Sequence, residues 1–72
     1  MNGEETVRAY ADMVYGIAMK YMRDPYDAED ILSETFITYF KKERTFEGEE
    51  HRKAWLIKVT INTAKDFLSA RR

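Results

Sequence analysis

The sequence predicts an all-α domain, a compact bundle of three main helices with the third wedged between the other two. Three observations lead there. One Pro and three Gly stand among 72 residues, so helix-breaking residues are scarce. The β-branched residues are scattered rather than alternating with polar ones, so no segment sustains a period of two. Apolar residues recur instead at three- and four-residue steps in three separate stretches, with no internal repeat and no low-complexity tract. The whole chain, 1–72, reads as a single domain, and a core of this size is marginal without help from a partner, a metal or disulfides.

The first helix is expected from about Glu4 to Met22. Val7, Tyr10, Val14, Ile17, Ala18 and Tyr21 make its apolar stripe. It stops before Asp24-Pro25, because the residue preceding a proline disfavours the helical region. Its Tyr and Met side chains are read as core filling.

The second helix is expected over about 27–43. Asp27 is a good N-cap, with Asp30 three residues on in the manner of a capping box. The competing start has Asp24 as cap and Pro25 in the first helical position. Ala28, Ile31, Leu32, Thr35, Phe36, Tyr39 and Phe40 form the apolar stripe. Lys41 and Lys42 stand near the C-terminal end, where the helix dipole favours cations. A polar connection follows over about 44–52, in which Phe46 alone needs cover.

The third helix is expected over about 53–70. Leu56, Val59, Thr63, Phe67 and Ala70 form one mostly apolar stripe, and Ile57, Ile61, Ala64 and Leu68 a second. A polar ridge of Lys58, Asn62, Lys65, Ser69 and Arg72 separates them, with Lys53, Thr60 and Arg71 in the narrower opposite gap.

Net charge is only −1, but it is unevenly spread: −5 over Met1–Phe36 and +4 over Ile37–Arg72. Two kinds of surface result. Asp27, Glu29, Asp30 and Glu34 crowd the start of the second helix, and Asp27, Asp30 and Glu34 share a face. Capping and the helix dipole account for the first three. Glu34 lies beyond the first turn, and a basic protein partner would account for all four. The ridge on the third helix suits nucleic acid, since Lys meets phosphate and Asn can read a base edge; a solvated face is the plainer alternative. The segment Thr45 to Arg52, with Trp55 beyond it, sets aromatic residues beside basic ones as a stacking platform would. Its Glu47, Glu49 and Glu50 oppose phosphate, and Phe46 and Trp55 equally suit a core.

Other classes find little support. There is no Cys, which excludes disulfides and is compatible with a cytosolic home. The single His argues against a metal site, and the acidic cluster lacks the ordered ligand set of a calcium loop. His51, Ser33 and Ser69 are not spaced as a nucleophile with its base, and no Gly-rich phosphate loop occurs, so neither an enzyme nor a cofactor is expected. No apolar run is long enough for a membrane span or signal peptide.

The string Asp27-Ala28-Glu29-Asp30-Ile31-Leu32, followed by Glu34-Thr35-Phe36, resembles region 2.2 of bacterial sigma-70-type factors, the extracytoplasmic-function (ECF) group above all. Phe46 and Gly48, then Trp55-Leu56, then Asn62-Thr63-Ala64-Lys65-Asp66 resemble regions 2.3 and 2.4 of that group, and the stretch from Tyr10 to Tyr21 resembles region 2.1. The resemblance runs from about Val7 to Arg72. It implies that the second helix docks on the clamp helices of the RNA polymerase β′ subunit through Asp30, Ser33, Glu34 and Ile37, with Asp27 at its start. It also implies that the loop and third helix recognise and open the promoter −10 element on the non-template strand. Phe46, Gly48, His51, Arg52 and Lys53 would hold an unstacked base, with Lys58, Asn62 and Lys65 on neighbouring backbone or bases. An anti-sigma factor is a further partner that the resemblance allows.

Two departures stand out. Ser33 occupies a place where the family usually has Gln. Glu47 lies between the Phe and Gly of the loop, where the family often has Arg. Family members also carry a region 4, not found in these 72 residues, so the chain is either a piece of a longer protein, the favoured expectation, with Arg71-Arg72 leading into a linker, or an unusual short protein. The alternative to promoter recognition is a helical protein-interaction module that kept the fold, a reading that the acidic loop favours.

Overall fold

The structure, a computed structural model, describes residues 2–42 and 45–70. The expected helical end at Glu43, Arg44 in the connection, and Arg71 and Arg72 after the third helix lie outside the described residues. Three α-helices make up the described chain: α1 Gly3–Met22, α2 Pro25–Lys41 and α3 Glu49–Ala70.

α1 starts one residue before the expected position, because Asn2 caps it. The Asn2 carboxamide oxygen accepts from the Glu5 amide at 2.8 Å, and the Glu5 carboxylate reaches back to the Asn2 amide at 3.4 Å. The pair is a reciprocal capping box, which the sequence reading overlooked. The buried line along α1 runs through Thr6, Val14, Ala18 and Met22, in multiples of four residues. That i±4 ridge drifts around the helix as a neighbour crosses it. It favours Met22 and leaves Tyr21, expected in the core, at the edge of the bundle with 37% exposure.

The turn into α2 settles the two possible starts in favour of Asp24. Its carboxylate accepts from the amides of Tyr26 at 2.8 Å and Asp27 at 3.4 Å, with Pro25 first in the helix. Proline's fixed φ suits that position and its missing N–H would have no partner there anyway. Asp27 is therefore a first-turn helical residue and not the N-cap.

Ala28, Ile31, Thr35 and Phe36 are buried on α2, with Leu32 and Tyr39 half-buried. Phe40, expected in the stripe, is 56% exposed. Its ring lies over the first turn of α1, so close to Gly3 that a Cβ there would come within 2.5 Å of the ring. Gly3 is what permits that approach.

α3 begins four residues before its expected start, so His51 and Arg52 are helical. The Arg52 amide bonds to the Gly48 carbonyl at 3.1 Å, and Glu49 and Glu50 place negative charge in the first turn, where the dipole favours it. Thr60, assigned to the narrow gap, lies fully buried between Leu56 and Ala64. Its hydroxyl donates to the Leu56 carbonyl at 2.6 Å, which satisfies the group that would otherwise keep Thr from the core. The supposed gap is the centre of the buried face. Leu68 is exposed instead.

The helices contact one another pairwise, and α1 against α2 is the most extensive pair. α3 therefore packs onto that pair and is not wedged between its members. Two groups of buried residues fill the interior. Ala18, Met22, Ala28, Ile31 and Ala64 form one, whose small Ala side chains let three backbones approach. Val14, Phe36, Trp55 and Leu56 form the other, flanked by Tyr39, Phe46 and Val59 among others.

Candidate functional site

The outward side of α2 carries Asp30, Ser33, Glu34 and Ile37, all exposed, with Ile37 45% exposed; Asp27, in the first turn, is half-buried. These positions recur at three and four residues, and the buried stripe takes the other side of the helix. Tyr26 extends the same side by one turn and is the most exposed large apolar residue described, at 81%. Its four-residue spacing from Asp30 is the sequence signal that sets it on this side.

On α3, Lys58, Asn62, Lys65 and Ser69 are exposed. They lie opposite the buried line Leu56–Thr60–Ala64, as the period of the helix requires. Arg72, the fifth expected member, is outside the described residues. Lys53 and Gly48 are also exposed, whereas Phe46, His51 and Arg52 are half-buried and engaged with the protein.

That engagement centres on Phe46. Its ring stacks on Tyr39 from α2 at 5.9 Å with planes 3° apart, and meets Trp55 edge-on at 5.8 Å and His51 at 5.2 Å. The Arg52 guanidinium stands 5.3 Å from the ring centroid. Lys42, at the end of α2, sits 5.1 Å from the Trp55 ring. The aromatic residues of the loop region thus cover one another, which answers the need of Phe46 for cover.

Two polar links complete the loop. His51 Nδ1 accepts from the Glu47 amide at 3.2 Å, which leaves the neutral imidazole its proton on Nε2. Glu49 accepts from the Tyr10 hydroxyl at 2.8 Å and is paired with Arg52. The Tyr10 hydrogen bond, aided by Arg52, holds the Glu49 carboxyl below its ordinary pKa. The same hydrogen bond raises the Tyr10 hydroxyl. A cleft of about 310 Å³ opens beside these groups, lined by Glu47, Gly48, Glu49, Glu50 and His51. Three carboxylates around it oppose phosphate.

Among the described residues no helix is long and apolar enough to cross a membrane. Ser33 and Ser69 are exposed on different helices. The arrangement therefore offers two outward surfaces and an aromatic-braced loop, all suited to binding.

Residues 6–72 match the family model for sigma-70 region 2. The RNA polymerase sigma-H factor of Pseudomonas aeruginosa is 32% identical over 65 residues, covering 90% of this chain and 34% of that protein. The ECF RNA polymerase sigma factor SigE of Mycolicibacterium smegmatis is 37% identical over 73 residues, 94% of this chain and 26% of that protein. The ECF RNA polymerase sigma-E factor of Haemophilus influenzae is 33% identical over 64 residues, 89% of this chain and 33% of that protein. The chain thus spans about a third or less of the length of these relatives. No solved structure matches it. With the family model covering nearly the whole three-helix bundle, the chain belongs to the sigma-70 region 2 family, whose members are transcription initiation factors and not enzymes.

Proposed function

We propose that this chain acts in transcription initiation, docking on RNA polymerase core through α2 and recognising and opening the promoter −10 element through α3 and the loop before it. The observation that carries the reading is the separation of two exposed surfaces of opposite character. Asp30, Ser33, Glu34 and Ile37 face outward on one helix, and Lys58, Asn62 and Lys65 face outward on another. Each surface then meets its own partner. The acidic α2 face, with Asp27 at its start, suits basic residues on the β′ clamp helices and gives the contact steering and register. Lys58 and Lys65 suit phosphates, and Asn62 suits a base edge or backbone group of the non-template strand.

The cleft beside Glu47, Gly48 and His51 is where an unstacked base would be held, with His51 backed by the Phe46 ring. Arg52 is turned inward onto Glu49 and Phe46, so its part is to brace the loop. Lys53 and Lys58 are left to meet the strand. The carboxylates of the loop weaken free DNA binding, and recognition emerges once polymerase holds the duplex. These partners place the protein in the bacterial cytoplasm.

The test is promoter opening by the full chain with polymerase core. Asn62→Ala combined with Lys65→Ala is expected to reduce opening at a cognate promoter about tenfold to a hundredfold while core binding stays unchanged. Undiminished opening would turn the reading toward a protein-interaction module, the alternative favoured by the acidic lining of the cleft.

A further inference from the structure

Glu49 joins three parts of the molecule. As the first residue of α3 it accepts the Tyr10 hydroxyl of α1, 39 residues earlier in the chain, at 2.8 Å. Its other carboxylate oxygen is paired with Arg52, one turn further along α3. The Arg52 guanidinium lies over Phe46, and Phe46 stacks on Tyr39 of α2. A continuous relay therefore runs from α1, through a carboxylate and a guanidinium, to the ring that anchors the loop.

The groups in this relay are suited to the task. Guanidinium is planar and permanently charged, so one face can cover a ring while its edge meets a carboxylate. Arg52's side chain is only 14% exposed, a poor position for phosphate and a good one for bracing. The loop has few other anchors. Of residues 45–48 only Phe46 packs into the core, and the Glu47 amide is tied to His51, itself in the first turn of α3.

We propose that Tyr10 and Glu49 are positioning residues for promoter recognition: the Tyr10–Glu49–Arg52 relay clamps the loop from α1 and keeps the cleft open in the form that accepts an extruded base. The inference rests on the functional reading above and extends it to α1, to which that reading assigns no contact with polymerase or DNA. A loop ordered in advance lowers the ordering cost of binding, so loosening it weakens recognition without altering a single contact to DNA. The Tyr10 hydrogen bond, aided by Arg52, holds the Glu49 carboxyl below its ordinary pKa and so favours the ionised form that the relay uses.

The experiment uses the full chain, alone and with polymerase core. Tyr10→Phe keeps the ring in the core and removes only the hydroxyl. Amide exchange at Glu47 is expected to rise about tenfold while exchange at Ile31, in the other core group, stays the same. Promoter opening, read by 2-aminopurine in the non-template strand, is expected to fall roughly fivefold with core affinity unchanged. Combining Tyr10→Phe with Glu49→Ala is expected to do no more than Glu49→Ala alone, as members of one relay are non-additive.

Unchanged Glu47 exchange, multiplicative effects of the two substitutions, or a loosened loop with undiminished opening would each overturn the proposal and leave the functional reading standing. Failure of the unsubstituted chain to open promoters would instead bring down the functional reading itself, and the two failures are thereby distinguished.

Discussion

Thr35 sits in the middle of the buried side of α2, fully enclosed, and its hydroxyl has no hydrogen-bond partner among the described residues. Thr60 and Thr6 are equally buried, but each donates to the carbonyl four residues before it, Leu56 and Asn2. The difference has an energetic consequence, since a buried polar group without a partner forfeits its hydration for nothing. Thr35→Val keeps the shape and removes the hydroxyl. It is expected to raise stability by about 1 kcal/mol, measured by urea unfolding. A loss of stability would mean that the hydroxyl has a partner in solution. Single residues also redirect function here, because Arg52 spends its charge on Glu49 and Phe46 and not on solvent.

Among the elements, the junction of α1 and α2 is the tightest. Two helices meet there with no more than Arg23 and Asp24 between them. Arg23 closes α1 in the left-handed region, at φ 57°, and its amide bonds to the Met19 carbonyl at 2.9 Å. A side chain is strained in that conformation and glycine is not. Arg23→Gly is therefore expected to stabilise the chain by roughly 0.5–1 kcal/mol, seen as a higher thermal midpoint. Asp24 and Pro25 then start α2 at once, which fixes where around the bundle Asp30 and Glu34 emerge. α3 has a different entry. Gly48 and the acidic first turn let it begin at Glu49, and this brings Glu49 within reach of Tyr10.

At the scale of the molecule, what matters is that the interior is shared by all three helices while the charged surfaces are not. The core groups draw on α1, α2 and α3 together. The acidic surface belongs to α2 and the Lys–Asn ridge to α3. Changes on one surface should therefore leave the other intact. Asp30→Lys with Glu34→Lys is expected to weaken binding of the full chain to a β′ clamp-helix fragment roughly tenfold at moderate salt, with the fold preserved. Equal binding by the reversed-charge variant would show that this face is not the docking surface.

The three helices, the outward projection of Asp30, Glu34, Lys58, Asn62 and Lys65, and the sigma-70 region 2 character are legible in the order of residues. Helical period and capping are local properties, set by residues three and four apart. Tertiary structure alone decided which of two plausible faces is buried most deeply. It put Thr60 at the centre of α3's interior face and left Phe40, Leu68 and Tyr21 outside. It also decided that Glu49 meets Tyr10 and that Arg52 turns inward, because both depend on Tyr10, Phe46 and Tyr39 arriving from other elements. Contacts between residues tens of positions apart leave no period in the chain to be read, and they form only when packing brings the helices together.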